Sequence, residues 1–228
     1  MKGSGDSEEQ GDVFLTPPPL QIPFLPNIRL FNLLNNNLDI AQKSGVQRLR
    51  YQVLKLCLKA MRRYVIYSTR DCLGNRDGED YMDYLCAMIN DGDNMDKYLD
   101  QIETSNEDLL EIRDEVQGFF DETRDKYAET SSKLVVALTE LIVDDVKDSV
   151  SELFTKEWLD GTKQPAAVIM ATAKDYCDDF KLALNKIPFK SLLHKCFDEL
   201  LYLYFQALRK RMEERTIMTG FARESALL

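Results

Sequence analysis

Glycine and proline are scarce in this chain: ten glycines and seven prolines in 228 residues. Five of the prolines (Pro17, Pro18, Pro19, Pro23 and Pro26) crowd near the N-terminus. What remains favours helices, and no segment alternates at period two, so no strands are expected. Apolar runs of about 18 residues or more are also lacking, so no segment is long enough to span a bilayer. The stretch Met1 to Asp12 is acidic and polar, without the apolar stretch of a secretory signal. Histidine is nearly absent. His194 is the only one, two residues from Cys196. On a helix, positions two apart point about 200° from each other, so His194 cannot activate that thiol within the helix. The five cysteines are odd in number and widely spaced, with no C-x-x-C pair. This disfavours a disulfide framework or a metal site and suits a reducing compartment. No glycine-rich phosphate loop occurs. These absences exclude the common enzyme classes, and no cofactor, metal or small-molecule substrate is expected.

Three acidic clusters imitate sites. The run Asp91-Gly92-Asp93-Asn94-Met95-Asp96 opens like a calcium loop. It then places Met95 where an oxygen ligand is needed, Asp96 where glycine is needed, and Ile102 where the bidentate glutamate belongs. Asp144-Asp145 and Asp178-Asp179 are sequence neighbours that diverge on a helix and define no acid/base geometry. The net charge of −10 and the lack of a recognition motif argue against nucleic acid.

What is present is charge asymmetry and helical periodicity. Ala41 to Arg70 holds eight Lys or Arg and no acid, whereas Asp71 to Asp160 holds 26 acids against eight bases. The basic run either lies beside acidic helices inside one fold or faces anionic lipid or an acidic partner. Its candidate residues are Arg48, Arg50, Lys55, Lys59, Arg62 and Arg63, joined by Arg209, Lys210 and Arg211 far along the chain.

Residues 1–43 read as a Pro-rich strip, poorly ordered or docked, on an extended polyproline course. Asn35-Asn36-Asn37 closes it as a turn. Val46 to about Thr69 is the first firm helix, with Leu49, Val53, Leu56, Ala60 and Tyr64 marking one buried face. Asp80 to about Glu103 is the second, with Gly92 a potential kink. From Glu107 little stops a helix before Gly161. The choices are one helix of about 75 Å or two meeting near Gly118. Val135, Leu138, Ile142, Val146, Val150 and Leu153 share one face of it. Gly161 suits a C-cap and Pro165 a helix start. The next helix runs to about Leu184 with Val168, Ile169, Ala173, Tyr176, Cys177 and Phe180 inward, and Pro188 marks the break after it. The last, Phe189 to Glu214, has an apolar side broad enough for two neighbours. The expected fold is all-α, an elongated stack of antiparallel bundles. Its parts are a first bundle over 44–132, a C-terminal bundle over 133–220 and a tail at 221–228.

Three segments form an ordered series: Phe154-Thr155-Lys156-Glu157-Trp158-Leu159-Asp160-Gly161, Ala173-Lys174-Asp175-Tyr176-Cys177-Asp178-Asp179-Phe180, and Tyr202-Leu203-Tyr204-Phe205-Gln206-Ala207-Leu208. The series resembles the C-terminal part of the exocyst complex component three family, which includes tumour-necrosis-factor-induced and exocyst-like paralogues. The resemblance covers about Leu134 to Arg215. It implies a rod of stacked helical bundles and a non-enzymatic scaffold in vesicle tethering and exocytosis. The implied partners are other exocyst subunits and SNARE-type fusion proteins, with an anionic membrane surface as a further candidate. The implied place is cytoplasmic, peripheral at the plasma membrane or at secretory vesicle sites. The alternative is a membrane-remodelling relative acting through the basic helix on anionic lipid. The chain is shorter than a full subunit, as a short paralogue or a piece of one would be. Leu138, Leu153, Phe154, Trp158, Tyr176, Phe180, Phe197, Leu200 and Tyr204 are assigned to the core of the C-terminal bundle, and no binding residue is carried over.

Overall fold

The computed structural model describes residues 26–225 apart from 113, with side chains described over 29–109 and 115–214. Among the described residues eight helices follow one another: α1 (Pro26–Lys43), α2 (Gln47–Gly74), α3 (Tyr81–Thr104), α4 (Glu107–Ile112), α5 (Asp114–Ser151), α6 (Lys156–Leu159), α7 (Pro165–Ala183) and α8 (Lys186–Ser225). Among the described residues all regular structure is helical, and no helix is long and apolar enough to cross a membrane.

The strip expected to be extended is helical from Pro26 onward. A proline in the first turn loses nothing, because that N–H has no intrahelical acceptor. The three asparagines lie inside α1 rather than in a turn, because they are used there. Tyr98 donates its phenol to Asn35 Oδ1 at 2.5 Å, and Asn37 Nδ2 donates to the Leu33 carbonyl at 2.7 Å. Phe31 meets the Tyr98 ring edge-on, centroids 4.5 Å apart, and Leu34 is buried beside it. Pro17 to Pro19 and Pro23 lie outside the described residues. Gly45, at φ +67°, makes the left-handed turn into α2.

The buried face of α2 is not the one expected. Tyr51, Leu54, Cys57, Leu58, Met61, Val65 and Cys72 are buried, whereas Leu49 and Leu56 are 43% and 63% exposed. Both sets recur at helical spacing, about 120° apart. The inner set wins because it meets α3 and α5 together, while Val53 and Ala60 of the other set pack beside Leu30 and Leu38 of α1.

α5 is the spine. Its 38 residues span about 57 Å and serve two apolar cores. Val116, Phe120 and Tyr127 belong to the first, with α1, α2 and the second half of α3. Leu134, Leu138, Ile142, Val146 and Val150 belong to the second, with the first half of α3, α7 and α8. Gly118 lies within α5, and the boundary drawn at 132/133 falls inside it. Between the cores runs a buried polar layer: Asn90, Asp91 and Asn94 on α3 and Thr130 on α5.

Gly92 produces no break in α3. A Cβ there would meet only Ser131 Cβ, at an ordinary 3.9 Å. Gly92→Ala should therefore stabilise the fold, by roughly 0.5–1 kcal/mol, through lost backbone entropy in the unfolded chain. A lowered urea midpoint would show that the helices need closer approach than this.

The long helix stops at Ser151 instead of running to Gly161. Phe154 causes the stop, standing at φ +60°, where a bulky residue is strained. Its ring lies between Trp158 (4.8 Å) and Tyr204 (5.2 Å), and this packing holds the strained turn. Thr155 then caps the short α6, accepting from Trp158 N, and Gly161 at φ +82° ends it. Pro165 opens α7. That helix runs to Ala183 with Leu184 as its C-cap, as expected, whereas Pro188, expected to separate the two helices, is absorbed into the first turn of α8.

Candidate interaction site

α7 and α8 both lean on α5 but touch each other little. They diverge from a pinned pivot. Asn90 Nδ2 donates to the Ala183 carbonyl at 2.8 Å, Asn185 N donates to Asn90 Oδ1 at 2.7 Å, and Asn185 Nδ2 donates to Asp93 Oδ2 at 2.9 Å. Away from the pivot an apolar trough of about 850 Å³ opens between the two helices. Ile142, Val150 and Leu153 form its floor. Ile169, Met170 and Ala173 form one wall, and Leu193, Phe197, Leu200 and Leu201 the other. Trp158 and Tyr204 close one end.

The helix faces explain the trough. On α8, Leu192 and Cys196 are buried, and Leu200, Leu203 and Ala207 continue that line onto the core. A second apolar line, Leu193, Phe197, Leu201, Tyr204 and Phe205, runs beside it on the surface. The apolar side of α8 is broad enough for two neighbours, and α5 covers one half of it. On α7 only Pro165 and Phe180 are buried, and Val168 is 52% exposed.

This placement corrects the core assignment at two residues. Phe197 is 66% exposed and Tyr204 41% exposed, because they project about 100° and about 80° away from the line that meets α5. Leu138, Leu153 and Phe180 are buried, and Phe154, Trp158, Tyr176 and Leu200 pack on the core half-buried. The Tyr176 phenol donates to Asp145 Oδ2 at 2.6 Å, and burial, aided by that carboxylate, pushes it up to about 12. His194 and Cys177 both border the trough. Burial raises the Cys177 thiol, and Asp178 adds to this, the opposite of an activated nucleophile. Asp93 and Asp96 serve structure: Asp93 holds Asn185 and Lys97, and Asp96 faces Arg124 at 3.8 Å.

The basic residues divide. Arg50 forms a bidentate pair with Asp108 (2.7 and 2.9 Å) and holds down Asp108's carboxyl through those bonds. Arg62 pairs with Glu122, and Lys55 lies over the Phe119 ring at 4.6 Å. Arg48, Lys59 and Arg63 are exposed. Arg209 pairs with Glu213, and Lys210 is exposed. Arg211 donates to the Ser151 carbonyl at 3.1 Å, capping α5. Arg209 to Arg211 thus gather at the far end of α5, about 40 Å from the α2 cations packed near Glu122.

The family model described as exocyst complex component Sec6 matches residues 25–218. The chain belongs to that family. The exocyst kinship carried by the Trp158, Tyr176 and Tyr204 segments thus holds at family level, and it extends well upstream of Leu134 into α1. The fold is similar to the crystal structure of the C-terminal domain of the exocyst subunit Sec6p. The TM-score is 0.75 at 16% identity, with 81% of this chain and 52% of that one covered. At such identity the likeness concerns the fold, and the chain spans about half the length of that domain.

Proposed function

We propose that this chain is a non-enzymatic scaffold segment of an exocyst-type vesicle tether, and that the α5–α7–α8 trough seats an amphipathic helix of a sister exocyst subunit. The trough carries the reading. An apolar channel lined by exposed Phe197, Leu201 and Tyr204 matches the face of a helix, whose anchors recur every three or four residues. Family membership supplies the partner class, with SNARE-type fusion proteins second in order. It also supports a cytoplasmic position at secretory vesicles or the plasma membrane. The ordered motif series supports placing the chain with the component three branch and its paralogues.

The test is a binding titration with purified exocyst subunits, using Phe197→Glu and Leu201→Glu. Each is expected to weaken binding by about tenfold or more, as loss of a central apolar anchor does. Helicity and melting should hardly change, because both side chains face out. Wild-type affinity in both variants would end the reading.

A further inference from the structure

We propose that the outer face of α2 is an anionic-membrane contact. Taking Arg48 as zero and 100° per residue, Lys55, Lys59, Arg63 and Arg70 all fall within about 80° of one another along the helix. All five are exposed. The stripe runs about 33 Å along the helix. The buried residues of α2 centre about 130° away from it, so these cations ride an outer crest rather than line a groove. Exposed apolar side chains share the crest: Ile66 in line with Arg48, and Leu56 and Tyr67 just beside the stripe. Arg70 lies over the Tyr67 ring at 5.5 Å.

Flanking acids are engaged elsewhere. Glu122 is held by Arg62, Asp39 by Lys43 at 2.8 Å, and Glu115 accepts from the Tyr51 phenol at 2.6 Å. A chain of net charge −10 therefore presents a positive ridge, and Asp71, the exposed acid on α2 itself, stands about 80° beyond its edge. A convex ridge with interleaved cations, aliphatics and a tyrosine suits a plane of anionic headgroups. Cations are drawn to the surface potential, while Leu56, Ile66 and Tyr67 enter the interface. A partner helix would need a groove to lie in, and the crest has none. The inference is independent of the trough, which lies between α7 and α8.

The experiment is sedimentation of the chain with phosphatidylcholine vesicles, with and without about 30% phosphatidylserine. Binding is expected only with phosphatidylserine, falling steeply with salt. Each cation at the surface contributes roughly fivefold, so Arg48→Glu/Lys59→Glu/Arg63→Glu should cost about a hundredfold or more. Leu56→Ser/Tyr67→Ser should also weaken binding while keeping the salt dependence. Circular dichroism checks that both variants remain folded. Three results overturn the proposal: no serine-lipid dependence, wild-type binding by the charge-reversed variant, or vesicle binding untouched by Leu56→Ser/Tyr67→Ser and abolished by soluble polyglutamate. The last would mark the ridge as a site for an acidic protein.

Discussion

Raising the pH from about 9 to about 11 is expected to unfold the chain in one steep transition. Five buried acids drive this. Cys57, Cys72 and Cys86 are at most 5% exposed, as are Tyr98 and Tyr127. Burial pushes the Cys57 thiol to about 11 and those of Cys72 and Cys86 to about 12, from an ordinary 9.0. It raises the phenols of Tyr98 and Tyr127 above their ordinary 10.0, with Tyr64 and Asp91 adding to the effect at Tyr127. Each folded pKa is raised, so the stability each group contributes is fully present below its unfolded pKa. It is lost as pH climbs from there towards the folded value. One such proton changes stability by about 1.4 kcal/mol per pH unit, so even three acting together remove roughly 4 kcal/mol per unit. A domain with about 5–15 kcal/mol in hand exhausts it within a few units. Urea titrations at stepped pH measure the slope. Tyrosinate ultraviolet absorbance should rise together with loss of helicity, not before it. Tyrosinate from all the phenols in a chain that is still helical would show that the first core and the polar layer between the cores admit water.

Where a helix has one apolar stripe and one neighbour layer, its burial is legible from spacing alone. Val135, Leu138, Ile142, Val146 and Val150 of α5 are such a case: Glu140, Asp144, Asp145, Lys147 and Asp148 all lie off the stripe, and its five apolar residues are buried. Legibility fails where a helix has two stripes. On α2 the lines through Leu49 and through Tyr51 are both apolar, and only the positions of α1, α3 and α5 decide between them. On α8 the lines through Cys196 and Phe197 pose the same problem, and the trough exists because the second goes uncovered by this fold. Backbone punctuation was legible at Gly161 and Pro165, whose preferences are intrinsic. It was not legible at Phe154, since its left-handed turn is held by Trp158 and Tyr204 and by nothing in its own chemistry. The helical asparagines of α1 and the pivot at Asn90 were hidden for one reason: a polar residue inside a helix is explained by its distant partner, Tyr98 in one case and the α7–α8 connection in the other.

Asn90→Ala is expected to lower stability by roughly 2–4 kcal/mol and to weaken partner binding at the trough, although Asn90 is not among the trough-lining residues. Asn90 is 3% exposed and satisfies two helix ends with one side chain. Its amide donates to the Ala183 carbonyl at the end of α7, and its oxygen accepts from Asn185 N at the start of α8. Helix termini always leave such groups unpaired, and burying them without a partner is costly. Alanine removes the donor and the acceptor at once. The Asn185 side chain would keep its bond to Asp93 while its backbone N–H lost its acceptor, and α7 and α8 would lose the contact that sets their splay. Asn90→Asp is expected to be worse than alanine. It keeps the acceptor for Asn185 but loses the donor to Ala183, and it buries another carboxylate beside Asp91 and Asp93. Urea unfolding gives the stability order wild type, Ala, Asp, and a titration with purified exocyst subunits gives the binding. Leu201→Glu should lose binding at full stability, whereas Asn90→Ala should lose both. An Asn90→Ala chain with lowered stability and unaltered affinity would show that the walls of the trough are set by their packing on α5, not by the pivot.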